Sequence, residues 1–282
     1  MLDALHNDLA LTEEDFQRIS DVIYQHCGIN LHDGKKSLVR ARLAKLLRMS
    51  KCRSFKEYID YVLSPEGKGE FSSLVDSLST NLTSFFREKN HFDFLTGTHL
   101  GRLCKEKEKT SQPRIRAWSA GCSSGEEPYT LAITLLDYFG NRGHWDIKIL
   151  ATDVSTRMLE KAQMGTYDRE RVAPLSPEQL RQYMIPNVME GRKVYQVSAA
   201  LKNRIKFRYL NLMEKWPFDI AFDFIFCRNV MIYFDKKTQE KLVNRFWDYL
   251  DKGGILFVGH SESLAGIQHK YKYVLPAIYQ KT

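Results

Sequence analysis

Gly121-Cys-Ser-Ser-Gly-Glu-Glu-Pro-Tyr129, close behind the apolar run at 115–118, is the stretch whose reading decides the fold. A short branched and aromatic run, two glycines, then an acidic turn with a proline read as strand, tight bend and helix start. Gly121 and Gly125 allow a sharp turn and close approach of a ligand to the backbone. Pro128 fits a first helical turn, where its missing N–H is no loss. Glu126 and Glu127 suit a helix N-terminus, yet carboxylates there would repel a pyrophosphate. The bend therefore points away from a nucleotide phosphate and toward a ligand with a cationic amine.

The same pattern recurs downstream. Runs at 147–151, 205–210, 222–227 and 255–258 read as strands, and segments 129–139, 156–163 and 237–250 read as helices. This alternation predicts a parallel α/β sheet with crossover helices, closed by a hairpin at 271–275 and 277–279 around Pro276. Open sheets of this kind bind ligands beyond the carboxyl ends of their strands. Asp153 stands at one such end and suits ribose hydroxyls. Asn211-Leu212 and Arg228-Asn229 stand at the next two and suit the frame of an adenine. Upstream, Ser79-Thr-Asn-Leu-Thr-Ser-Phe-Phe-Arg-Glu88 offers Asn81, Thr83 and Arg87. A guanidinium on one segment and a carboxylate on another suit a ligand with both a carboxylate and an amine. S-adenosylmethionine has both.

Residues 12–80 read as a helical module. Thr12 caps a helix with Phe16, Ile19, Ile23 and Cys27 on its apolar face, and Gly28 ends it. A second helix is expected over 35–49. A third starts at the Ser54-Phe-Lys-Glu57 capping box and stops at Ser64-Pro65, and Phe71, Leu74, Val75 and Leu78 mark a fourth. The charged run 105–109, with Ser111 and Pro113, reads as a solvated connection. Segment 166–203 interrupts the alternation and reads as an insertion, with a helix from Ser176-Pro177 and a strand over 193–198.

The chain has 282 residues, 43% hydrophobic and 27% charged, with a net charge of +8. That length allows two unequal domains with real cores, and the charge favours acidic partners. The five cysteines show neither C-x-x-C nor zinc spacing, so no metal centre or disulfide framework is expected. No leader is apparent at 1–8 and no run is long enough to span a membrane, so a cytoplasmic protein is expected.

The motifs carry a resemblance. Residues 79–88, Gly125-Glu-Glu-Pro-Tyr129, Ala151-Thr-Asp153, Cys227-Arg-Asn-Val-Met-Ile-Tyr-Phe-Asp235 and Gly259-His-Ser-Glu262 resemble the CheR-type chemotaxis receptor methyltransferases over nearly the whole chain. The resemblance implies a class I, Rossmann-like methyltransferase sheet with an N-terminal all-helical domain and a small β insertion. It implies a recognition domain at 1–80, a linker at 81–98 that touches cofactor, and a catalytic domain at 99–282 with the insertion at about 166–203. The reaction it implies is methylation of glutamate side chains on chemoreceptor cytoplasmic helices, with S-adenosylhomocysteine as product. Asn81, Thr83, Arg87, Glu127 and Asp153 are then cofactor contacts, with Asn211, Leu212, Arg228 and Asn229 completing the adenosine side. Arg87 and Tyr233 are the candidate catalytic residues, and Phe85, Phe86, Tyr233 and Phe234 candidates for an apolar wall.

Residues 34–53 hold eight basic residues and no acid. On a helix, Leu38, Val39, Leu43, Leu46 and Leu47 share one face, and Arg40, Lys45 and Arg48 the other, with Arg42 at its edge. In the resembling family this helix faces the acidic methylation region of the receptor. Family members that dock on a receptor's C-terminal tail carry a glycine-rich loop in the insertion; here 185–192 is short and has only Gly191, which argues against such a tether. A nucleic-acid methyltransferase and a non-catalytic adaptor are the competing readings. The first lacks the Asn/Asp-Pro-Pro-Tyr/Phe signature after its fourth strand, and the second needs none of the cofactor positions. A NAD-dependent dehydrogenase is the least favoured reading, since G-x-G-x-x-G is missing and Glu126 and Glu127 occupy the would-be phosphate site.

Overall fold

The computed structural model describes residues 11–79, 81–109, 113–140 and 145–282. Residues 1–8, where no leader was expected, Thr80 of the first motif and Ser111 of the charged run lie outside the described residues.

The helical module forms as its caps and periodicity dictate. Helix α1, Glu13–Cys27, is capped by Thr12 in a reciprocal box with Asp15, and Gly28 ends it at φ 74°. Helices α2 (Lys36–Met49), α3 (Phe55–Leu63) and α4 (Lys68–Leu78) follow. Ser54 accepts the Glu57 N–H as expected, but the Glu57 carboxylate accepts from Arg53 N at 2.7 Å, one residue before the cap. The apolar faces meet around Phe16, Ile19, Val39, Leu43, Tyr58 and Val75, and this core runs on without a break to Trp118, Trp216 and Phe246 on one face of the sheet.

Helix α5 (Asn90–Phe94) continues through a π-helical turn, Leu95–His99, into α6 (Leu100–Lys107). The charged run is therefore the end of this helix and the turn after it, solvated as expected at Lys105, Glu106, Glu108 and Lys109 but not at Lys107. Lys107 Nζ pairs with Asp223, whose side chain is fully buried. Then come β1 (Arg114–Ala120), α7 (Glu126–Phe139), β2 (Asp146–Asp153) and α8 (Thr156–Met164). The insertion holds β3 (Thr166–Asp168), α9 (Arg169–Val172), α10 (Pro177–Tyr183), β4 (Met184–Met189), β5 (Arg192–Val197) and α11 (Ala199–Lys202). After it run β6 (Ile205–Tyr209), β7 (Phe222–Cys227), α12 (Lys236–Asp248), β8 (Leu250–Val258), β9 (Lys272–Leu275) and β10 (Ile278–Gln280).

The main sheet has the order β6-β2-β1-β7-β8-β10-β9, and β3-β5-β4 form a separate small sheet. Pairings among β6, β2, β1, β7 and β8 are parallel; β10 is antiparallel to both β8 and β9, which makes the terminal hairpin. Strand alternation sends Trp118 and Ile225 to the face where Trp216 and, from α12, Phe246 pack and whose core continues into the helical module. It sends Ala117 and Phe224 to the face covered by α5–α7. On that second face Phe226 stacks on Phe257 at 4.2 Å between centroids. The chain is thus a mixed α/β Rossmann-like fold with an all-helical N-terminal layer.

Gly121 shows how tightly the bend behind β1 is made. Its φ is 89°, and a Cβ there would lie 2.4 Å from Val230 Cγ2. Gly121→Ala carries both a backbone and a packing penalty, together about 2–4 kcal/mol. Urea denaturation should show the loss as a lower midpoint with unchanged slope.

Candidate functional site

The carboxyl ends of β1, β2, β6 and β7 open onto one cavity of about 960 Å³, counting its mouth. The chain passes from β1 to β2 to β6 on one side, then from β7 outward on the other. The cavity therefore sits at the switch point where two sets of loops diverge. Asn81, Thr83 and Arg87 line it from the segment before α5, Glu127 from α7 and Asp153 from the end of β2. Asn211 and Leu212 follow β6, Arg228 and Asn229 follow β7, and Tyr233 and Phe234 close the far side.

One end of the cavity is charged. Arg228, with a side chain 2% exposed, lies between two carboxylates: its Nη1 is 3.2 Å from Glu127 Oε2 and its Nη2 is 3.1 Å from Glu88 Oε2. It also donates to the Arg87 carbonyl. Glu127 accepts a second bond from the Ser119 hydroxyl at 2.7 Å. Burial raises the Glu127 pKa, with Arg228 and Ser119 opposing. Burial also pushes Glu88 up, but Arg228 and the His260 N–H outweigh it and leave the pKa lowered. One guanidinium thus faces two carboxylates, which leaves this end short of one positive charge and suited to a ligand ammonium. Arg87 anchors to the Leu82 carbonyl at 2.7 Å through one of its nitrogens and keeps further donors for a carboxylate. Arg228 therefore belongs to the charged end, not to the adenosine side where its strand position suggested it.

Asp153 defines the middle. Its two oxygens accept Ser123 N at 2.7 Å and Ser155 N at 2.9 Å. Burial pushes its pKa up to about 6 against these donors. No described cation pairs with it, and each oxygen keeps a lone pair for a hydroxyl donor. Beyond it Asn211 is mostly structural: its amide donates to the His26 carbonyl, bracing the helical module against the sheet, while its Oδ1 accepts Met213 N. The residues present fit S-adenosylmethionine on three counts: the charge deficit at Glu127, the spare donors of Arg87 and the unpaired carboxylate of Asp153.

Several contributors had no prior signal. Cys27 and Ile29 line the cavity from the end of α1; nothing local marks residues that reach a site across a domain contact. Phe85 and Phe86 do not line it. Phe85 is buried against Tyr167 at 5.1 Å, and Phe86 packs on Phe92 at 5.8 Å; Phe92 takes the wall position. Left-handed backbone at Phe86 (φ 51°) and Glu88 (φ 55°) makes this turn and separates Arg87 from its aromatic neighbours. Glu262, quoted only as part of a motif, pins the loop after β7 by accepting Asn229 N at 2.8 Å and Ile232 N at 3.1 Å. It thereby holds the short turn Met231–Tyr233.

Glu88, His91 and His260 offer ligand atoms within 4.8 Å of one another. Burial and then Arg228 push His91 down to about 3, so its imidazole is neutral. Both Glu88 oxygens are already engaged, one by Arg228 and the other by His260 N. An ion there would have to compete with a guanidinium, so the trio reads as a brace behind the charged end.

On α2, Arg40, Lys45 and Arg48 are exposed, as the helical projection required. Arg42 differs: its guanidinium caps the end of α4 through the carbonyls of Leu78 at 2.7 Å and Ser79 at 3.2 Å. The stretch 185–192 is a β-hairpin, with Glu190 and Gly191 both at positive φ in its turn.

Comparison with known proteins gives this architecture a family. Residues 14–79 match the family model "CheR methyltransferase, all-alpha domain", and residues 81–278 match "CheR methyltransferase, SAM binding domain". A chemotaxis protein methyltransferase of Borreliella burgdorferi is 42% identical over 97% of this chain and 96% of its own length. A probable one of Rhizobium etli is 42% identical over 87% of this chain and 91% of its own. That of Escherichia coli is 40% identical over 93% and 89%. No described helix is long and apolar enough to cross a membrane. With two domain models covering most of its length and a cavity whose charges match the cofactor, the chain belongs to the CheR family of S-adenosylmethionine-dependent chemotaxis methyltransferases.

Proposed function

We propose that this protein is a cytoplasmic protein-glutamate O-methyltransferase acting on the cytoplasmic helices of chemoreceptors. The observation that carries the reading is the charge pattern of the cavity: Arg87 with spare donors at one point, and at another the pair Glu127 and Glu88, which share the single guanidinium of Arg228. Arg87 holds the methionyl carboxylate, Glu127 the amine and Asp153 the ribose, while Asn81, Thr83, Asn211, Leu212 and Asn229 shape the remainder. When bound, S-adenosylmethionine supplies a methyl on a cationic sulfur, which a glutamate γ-carboxylate takes as an ester, leaving S-adenosylhomocysteine.

A glutamate side chain, with an ordinary pKa of about 4.3, is ionised at neutral pH. No general base is required. What the chain must supply is position and a dry wall, since opposite charges are consumed as the new bond forms. Phe92, Val154, Val230 and Phe234 provide that wall. Tyr233 is held from both sides, its carbonyl accepting Asn30 N at 2.7 Å and Lys35 Nζ lying 5.5 Å above its ring. Its hydroxyl orients the incoming carboxylate, so Tyr233→Phe lowers kcat by about tenfold with little change in cofactor KM. Wild-type kcat in that variant, at saturating cofactor, would remove Tyr233 from the mechanism. The activity itself is tested by incubating the protein with radiolabelled S-adenosylmethionine and receptor cytoplasmic fragments. Label on the fragment that is released by mild base, as a methyl ester must be, supports the reading; base-stable label on protein or nucleic acid contradicts it.

A further inference from the structure

A second, larger hollow of about 2080 Å³, open along its length, adjoins the cofactor cavity and shares Ser79, Asn81 and Leu82 with it. Its walls come from different parts of the chain. One is α2, with Lys45, Leu46 and Met49; the other is α8 and the start of the insertion, with Arg157, Lys161 and Met164. Arg157 and Lys161 are one helical turn apart and share a face of α8. Neither Lys45 nor Lys161 has an ion-pair partner among the described residues. Arg157 has only a 3.8 Å approach to Asp76, with its own side chain 57% exposed. Large apolar groups also stand open to solvent along the groove: Met49 at 76%, Leu82 at 78% and Met164 at 56%. Unpaired cations on both walls with exposed methionine and leucine between them match one kind of occupant, an acidic amphipathic helix laid in the groove.

We propose that this groove seats the receptor helix and grips it from both domains, so that Arg157 and Lys161 on α8 recognise acidic residues flanking the target glutamate as much as the basic face of α2 does. The inference rests on the methyl-acceptor reading above and goes beyond it by naming the opposite wall. Met49 and Met164 take the apolar stripe of the helix. Leu82 stands at the junction of groove and cavity, where the target side chain leaves the helix and passes toward Arg87 and Tyr233. An acidic helix seated on α2 alone would have no use for the exposed Arg157 and the unpaired Lys161 of α8.

The test compares wild type with an Arg157→Glu/Lys161→Glu double variant, using a receptor cytoplasmic fragment as acceptor. Both positions are exposed, so the fold should tolerate the change, and calorimetry with S-adenosylhomocysteine verifies an intact cofactor site. The expected result is a KM for the fragment raised roughly tenfold or more, a shallower dependence of KM on salt, and unchanged cofactor affinity. A fragment with lysines in place of acids beside the target should regain part of the loss in the variant alone. If wild type methylates the fragment and the double variant does so with the same KM and salt response, the α8 wall is wrong and the functional reading stands. If wild type methylates no receptor fragment, both fall. Tight oligonucleotide binding at physiological salt, abolished by the same double reversal, would overturn the assignment in favour of a nucleic acid.

Discussion

Arg228→Ala is expected to be the most damaging single substitution in the cavity. It leaves Glu127 and Glu88, both nearly buried, without the guanidinium that lies between them. Stranding buried carboxylates in this way costs about 3–5 kcal/mol, so Tm should fall by roughly 6–15 °C in a chain of this size. Binding of S-adenosylhomocysteine should weaken at least about a hundredfold, because the charged end loses its geometry together with its charge balance. Arg228→Lys should rescue little, since a single ammonium cannot reach both carboxylates and the Arg87 carbonyl at once. Adding Glu88→Gln to Arg228→Ala should recover part of the stability by removing one stranded charge. Differential scanning fluorimetry of the single and double variants checks this. A double variant no more stable than Arg228→Ala would show that the network is not held by charge.

The second large effect is a pH dependence of cofactor binding set by Asp153. Its folded pKa is raised by burial to about 6, above the usual range for aspartate. For a carboxylate shifted upward, the folded state holds the proton more tightly than the unfolded one. Its contribution to stability is therefore present below the unfolded pKa and lost as pH rises through about 6. Ligand binding runs the other way, because ribose hydroxyls need the ionised carboxylate as acceptor. Affinity for S-adenosylhomocysteine should be flat above about pH 7 and fall as pH drops through 6. Asp153→Asn should bind about 10–100-fold more weakly at pH 7.5 and lose that pH dependence. Titrations at several pH values check both, and a wild-type profile flat between pH 5 and 7.5 would contradict the role given to Asp153.

Much of the fold was legible because its signals are local. Thr12 and Gly28 bracket α1 through side-chain and left-handed backbone chemistry that a sequence displays directly. The central strand β7 is buried at every position and so reads as a near-continuous apolar run, whereas β6 at the sheet edge carries Lys206 and Arg208 outward and reads by alternation. The cavity residues were legible for a related reason, since strand order carries successive strand ends to one place. What was not legible depends on distant contacts or on backbone that carries no residue signature. The brace from Asn211 to the His26 carbonyl, and that from Asn30 N to the Tyr233 carbonyl, join residues far apart in the chain. The turn that buries Phe85 uses left-handed backbone at Phe86 and Glu88, where a glycine would have announced it. Arg228 was placed at the wrong end of the cavity because a strand position fixes where a side chain starts, not how far a long guanidinium reaches. Lys107 was read with its charged neighbours, although only that lysine turns inward to Asp223.

The central claim is that opposed charges from separate segments hold one S-adenosyl ligand where β1, β2 and β7 end. Isothermal titration with S-adenosylhomocysteine at pH 7.5 measures it most directly, comparing wild type with Arg87→Ala and Asp153→Asn. The account predicts a single saturable site on wild type, weakened in each variant. No heat on wild type at millimolar ligand, or equal affinity in all three proteins, would contradict it.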